Sequence, residues 1–182
     1  MTKIFRTAAA GVALFAAVGM GSAAHAQVSD SADATAEVLA ALQLTNVDGL
    51  DFGSLVLNAS STGGDVTVTA GGVRSCFGDV ICGPAGSEQA ASFNVTGAAG
   101  STIDVTVQDL VTNPVSLTHT ANAGSNAASH NIELVGLSDG SLGGFTTFSG
   151  NEVFNIGGTI RLDGSEIAGT YEGSFDVTVS YQ

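Results

Sequence analysis

Apolar and polar residues alternate with a period of two along most of this chain. From Thr170 to Gln182 the odd positions are Tyr171, Gly173, Phe175, Val177, Val179 and Tyr181, and every even position is polar. That pattern predicts one long strand with a single apolar face, about 40 Å at the usual rise per residue. A second long strand is expected over Ala32 to Leu44, where Ala32, Ala34, Ala36, Val38, Ala40, Leu42 and Leu44 take the even positions opposite Asp33, Thr35, Glu37 and Gln43. Alanine favours helices, but the set alternates and no capping residue frames a helix.

Shorter pieces repeat the theme. Asp65 to Thr69 alternates valine with polar residues, as do Ala91, Phe93 and Val95, then Ile103, Val105 and Val107, then Val115, Leu117 and His119, then Ile132 and Leu134. Clusters such as NASSTGG, TGAAG, ANAGSNAAS and LSDGSLGG separate them, and these residue types favour turns. Strands recurring between such punctuation predict an all-β antiparallel sandwich built as one domain.

The first 26 residues follow a different rule. Lys3 and Arg6 precede the apolar run Ala8 to Val18, and Ala24-His25-Ala26 supplies the small residues that a signal peptidase needs. The run is short for a bilayer span, so residues 1–26 are expected to be a cleaved signal peptide and 27–182 a single sandwich domain without a membrane span. The product would be exported, to the periplasm, the cell surface or beyond.

Charge sharpens this picture. The chain holds 17 acidic residues against 4 lysines and arginines, for a formal charge of −13. Loss of the leader leaves Arg74 and Arg161 as the only arginines or lysines. Such a surface repels phosphate backbones, so nucleic acid is excluded as a partner. Its hydrophobic content of 44% equally excludes a disordered acidic tail.

Cys76 and Cys82 lie close together in RSCFGDVICG. In an exported chain an even pair of this kind is read as a disulfide, which would clip a local loop for about 2–3 kcal/mol. Zinc would need two more ligands, and His119 and His130 are remote in sequence. A redox pair would need the C-x-x-C spacing, which is absent.

The segments ALQLTNVDGLDFG (41–53), AASFNVTGAAGSTIDVTV (90–107) and GTYEGSFDVTVSYQ (169–182) resemble the family catalogued as domain of unknown function 4402, found in exported bacterial proteins. The closing G-x-Y-x-G-x-F-x-V-x-V-x-Y pattern is also similar to spore coat protein U-like and chaperone–usher pilin subunits. The resemblance implies an immunoglobulin-like, pilin-like antiparallel β-sandwich that lacks its final strand. It further implies a groove filled first by a periplasmic chaperone and then by the N-terminal extension of another subunit, a form of β-strand addition. On that reading Phe175, Val177, Val179 and Tyr181 form the interaction edge, and Ala32, Ala34, Ala36 and Val38 are the possible donor strand. Two features depart from the pilin pattern: the cysteines are neighbours rather than far apart, and the donor positions are mostly alanine.

Other chemistry is sparse. Gly136-Leu137-Ser138-Asp139-Gly140 fits G-x-S-x-G, but the hydrolase elbow needs a helix after the serine, and SLGGFTTFSG reads as turn and strand. Asp48, Asp51, Asp139, Asp163 and Glu166 offer hard oxygen ligands without the EF-hand spacing, and turn formation accounts for them. Asn58 and Asn94 head glycosylation-type triplets, and His119 alternates with Leu117 as a half-buried strand residue. No catalytic residue, metal or cofactor is assigned. The expectation is a non-enzymatic structural or interaction protein that assembles with copies of itself or related subunits. The alternative is a monomeric cell-envelope module binding carbohydrate or ions.

Overall fold

Among the described residues twelve strands carry the architecture: β1 (Gln43–Asp48), β2 (Leu55–Leu57), β3 (Gly64–Val68), β4 (Arg74–Cys76), β5 (Val80–Cys82), β6 (Ala91–Thr96), β7 (Ile103–Val107), β8 (Val115–His119), β9 (Asn131–Asp139), β10 (Asn151–Leu162), β11 (Tyr171–Glu172) and β12 (Val177–Tyr181). The computed structural model describes residues 28–182, apart from residues 59, 141–143 and 146 and the side chain of residue 139. The expected signal peptide, residues 1–26, lies outside the described residues.

The 12-residue β10 is the spine of an eight-stranded antiparallel sheet. Its first half, Asn151 to Ile156, pairs with β6, and its second half, Gly158 to Leu162, pairs with β3 along the same edge. β9 runs along the opposite edge from Ile156 to Arg161. The handover from β6 to β3 falls at Gly157, where a Cβ would strike the backbone of Val68 to Ala70. Only glycine lets the strands approach so closely there. Outward from the spine the order is β1, β6, β10, β9, β8, β11, with β4 beyond β3.

Two ribbons cover the sheet. β2 pairs with β5, and β7 pairs with β12. Between sheet and ribbons lie two apolar clusters, one around Val66, Val68, Val80, Ile132, Leu134, Ile160 and Leu162, the other around Phe93, Val95, Ile103, Val105, Phe148, Phe154 and Ile156. Leu50, Leu137 and Phe175 pack against both. The chain is thus all-β, with antiparallel layers packed as a sandwich, as the periodicity predicted. Each fully buried aliphatic chain, such as Val66, Ile103 or Ile156, contributes about 1.5–3 kcal/mol.

Both long strands expected from alternation are shorter in the structure. Residues 28–42 form neither helix nor strand, and pairing begins only at Gln43. Leu42 and Leu44 are half-buried, whereas Ala32, Ala34, Ala36 and Ala40 are exposed and Val38 is 94% exposed. An alanine face removes too little apolar area from water to offset the ordering cost of about 1–2 kcal/mol per residue. The C-terminal run is broken instead of absent. Tyr171–Glu172 pairs with β8 in the large sheet, and Val177–Tyr181 pairs with β7 in the ribbon. The chain changes layers at Gly173 to Asp176, where a Cβ on Gly173 would come within 2.9 Å of the Ser116 carbonyl oxygen.

Candidate assembly edge

The alternation of β12 survives the break. Tyr171, Phe175, Val177, Val179 and Tyr181 are half-buried, and the even residues from Glu172 to Gln182 are exposed. Phe175 lies outside the strand yet fills the seam between the two clusters, with its ring edge-on to Phe93 at 6.5 Å. Val177, Val179 and Tyr181 pack on the second cluster, which Leu42 and Leu44 also border.

Hydrogen bonds fix which main-chain groups of β12 are used. Gln182 N donates to Thr102 O at 3.0 Å, and Gln108 N donates to Asp176 O at 2.9 Å. The even residues therefore face β7. In an antiparallel ladder the intervening residues aim their N–H and C=O groups the other way. Val177, Val179 and Tyr181 thus present theirs to the far edge, and no strand among the described residues pairs with it. β1 is open on its far side in the same sense, since among the described residues it pairs with β6 alone.

One side chain spans these two open edges. The Tyr181 hydroxyl donates to Ala40 O at 2.6 Å and accepts from Ala98 N at 2.7 Å. Gly97 is required beneath it, because a Cβ there would meet both the phenol oxygen and Leu42.

The cysteines meet as expected. Cys76 and Cys82 form a disulfide with Cα atoms 5.7 Å apart. It joins β4, at the rim of the large sheet, to β5 in the β2–β5 ribbon, so the clip fastens one layer to the other. Arg74 on the same strand is the cation that sequence reading left without a role. Its side chain is 4% exposed and donates to Phe52 O at 3.0 Å and Gly83 O at 2.8 Å, with Glu88 at 3.7 Å.

Ser138 lies within β9, opposite Gly157, not at a strand-to-helix turn. Asp51 accepts from Gly53 N, Asp163 from Ser165 N, and Glu166 from both Asp163 N and Gly164 N, so these carboxylates shape turns. Asp48 closes β1, and the Asp139 side chain lies outside the described residues. Among the described residues no three His, Cys, Asp or Glu side chains converge as a metal site. Asn94 sits on β6 between β1 and β10.

His119 corrects the expectation of a half-buried strand residue. It is buried, at 6% exposure, and its ring lies 6.2 Å from that of His130 and 5.1 Å from that of Tyr171. Its Nδ1 accepts from Ala121 N at 3.2 Å, which places the ring proton on Nε2, 3.3 Å from Ala168 O. Sequence distance hid this meeting, because β11 and the loops around β8 had to be placed first.

The model of the domain of unknown function DUF4402 matches residues 42–181. The chain belongs to this family. The DUF4402 match opens one residue before β1 and ends on Tyr181, so it takes in every strand and leaves out Ala32 to Val38. No curated protein and no solved structure matches the chain significantly. Among the described residues no helix is long and apolar enough to cross a membrane.

Proposed function

We propose that this DUF4402 protein is an exported structural subunit, pilin-like in its logic, that assembles by β-strand addition at the outer edge of β12. The observation that carries the reading is the row of outward main-chain groups at Val177, Val179 and Tyr181 beside half-buried apolar side chains. An incoming strand would satisfy the first and cover the second. The exposed segment Ala32, Ala34, Ala36 and Val38 of another copy is the donor that the alternation favours. A periplasmic chaperone would shield the same edge before assembly.

The test is the native mass of the secreted protein by size exclusion with light scattering. Val179→Pro removes an N–H that faces away from β7, so it blocks an added strand and leaves the β7 ladder whole. Deleting residues 27–38 removes the donor. High-mass species in the parent protein, lost in each variant, support the proposal, and mixing the two variants should restore dimers but not polymers. A monomeric parent protein, or assembly unchanged by both variants, overturns it.

A further inference from the structure

In the large sheet, of which β12 is not a strand, four strands align one row of polar side chains. Ser116 on β8 is opposite Glu133 on β9, Glu133 is opposite Arg161 on β10, and Arg161 is opposite Asp65 on β3. Directly cross-strand partners share a face, so these groups stand side by side. A second row pairs Thr118 with Asn131, whose Oδ1 accepts from the Thr118 hydroxyl at 3.1 Å. All of these side chains but Asp65 floor a cleft of about 620 Å³, walled by Gly124, Ser125, Asn126 and Ala128 and by Asp163 and Glu166. Its size is in the range of small-molecule sites.

The walls are braced from behind. Asn131 Nδ2 holds Ser125 O and Ala127 O at 2.8 Å, and His130 Nδ1 lies 2.7 Å from Ser125 Oγ. The Tyr171 hydroxyl lies 2.8 Å from both Ser129 O and Ile167 O, so it ties one wall to the other. Ile167 N also donates to Ser129 O at 3.1 Å. The buried His119 ring caps the turn that begins the first wall. A concavity fixed in this way needs little ordering when it is filled.

Charge and bonding capacity decide what fits. Arg161 commits two of its five N–H donors to Asp65, with Nε to Oδ1 at 2.9 Å and a second bond to Oδ2 at 3.1 Å. Glu133 accepts no hydrogen bond from any described residue, and the Ser116 hydroxyl likewise makes none. Asp163 and Glu166 on the wall make the cleft acidic, which disfavours an anion, while Arg161 opposite Glu133 and the turn N–H groups already held by Asp163 and Glu166 disfavour a bare cation. The free groups are an acceptor pair, a hydroxyl that gives and takes, and the remaining guanidinium N–H donors. A ligand matching them must carry donors and acceptors on neighbouring atoms without negative charge. We infer that this cleft binds an uncharged polyhydroxylated ligand, a saccharide of one to a few rings, with Glu133 and Ser116 as its main hydrogen-bonding partners.

The experiment is an amide-resolved NMR titration of the full chain with cellobiose, N,N′-diacetylchitobiose and digalacturonic acid. The expected result is saturable shifts at Ser116, Thr118, Asn131 and Glu133 for at least one neutral sugar, with dissociation constants in the millimolar range, and weaker or no binding of the acid. Glu133→Gln should weaken that binding by about fivefold or more, and Ser116→Ala by a smaller factor, with unchanged melting temperature. The inference is overturned if neither neutral sugar gives saturable shifts at these residues up to ~50 mM, if the acid binds more tightly, or if Glu133→Gln binds as well as the parent protein. Because β12 takes no part, the outcome is independent of whether the protein assembles.

Discussion

The Tyr181 hydroxyl reaches from the last strand to the carbonyl oxygen of Ala40, 2.6 Å away, while accepting from Ala98 N. One phenol therefore fixes the start of the sheet, the β6–β7 turn and the C-terminal strand together. Tyr181→Phe keeps the ring but leaves a carbonyl and an N–H without this partner. A loss of about 1–3 kcal/mol in urea unfolding is expected. Residues 28–42 should also be cut faster by a nonspecific protease.

Arg74 fastens two loops to the edge of the large sheet through Phe52 O and Gly83 O. Lysine keeps the charge but cannot reproduce the planar fork, and its ammonium would be held in a site where the present side chain is 4% exposed. We expect Arg74→Lys to destabilise the protein by about 2–4 kcal/mol, measured as a lower urea midpoint at constant slope.

Reducing the Cys76–Cys82 bond releases β4 from β5. The chain-entropy relation for so short a loop gives about 2–3 kcal/mol, the expected drop in unfolding free energy for Cys76→Ser with Cys82→Ser. The double variant should remain folded, because the disulfide closes no other part of the core. Circular dichroism and the urea midpoint check both statements.

Acid should weaken the fold in a definite direction. Hydrogen bonds and the charge of Arg161 hold Asp65 below the ordinary aspartate range, bonds from Thr62 do so for Asp79, and bonds from Ser165 do so for Asp163. A carboxylate whose folded-state value is lowered gives stability that is present above its unfolded value and lost as pH falls through the folded one. Melting temperature should thus be flat near neutrality and fall progressively below about pH 4. A melting temperature that rises on going from pH 5 to pH 3 would contradict the assignment.

Period-two alternation was enough to give the β class, the faces of β3, β6, β7 and β8 and the apolar side of the last segment, and the close cysteine pair gave the disulfide, since each depends on neighbours in sequence. Alternation did not pick out β10, the longest strand among the described residues, whose Gly157 is explained only by the close approach of Val68 to Ala70. It overextended the strand at Ala32, because alternation counts apolar residues without weighing how much area an alanine buries. Local pattern could not show that the C-terminal run changes layers at Gly173, that β12 keeps one edge unpaired, or that Ser116, Glu133, Arg161 and Asp65 share one row. Those facts belong to strand order and register, which depend on how distant segments pack, and the tertiary structure alone decided them.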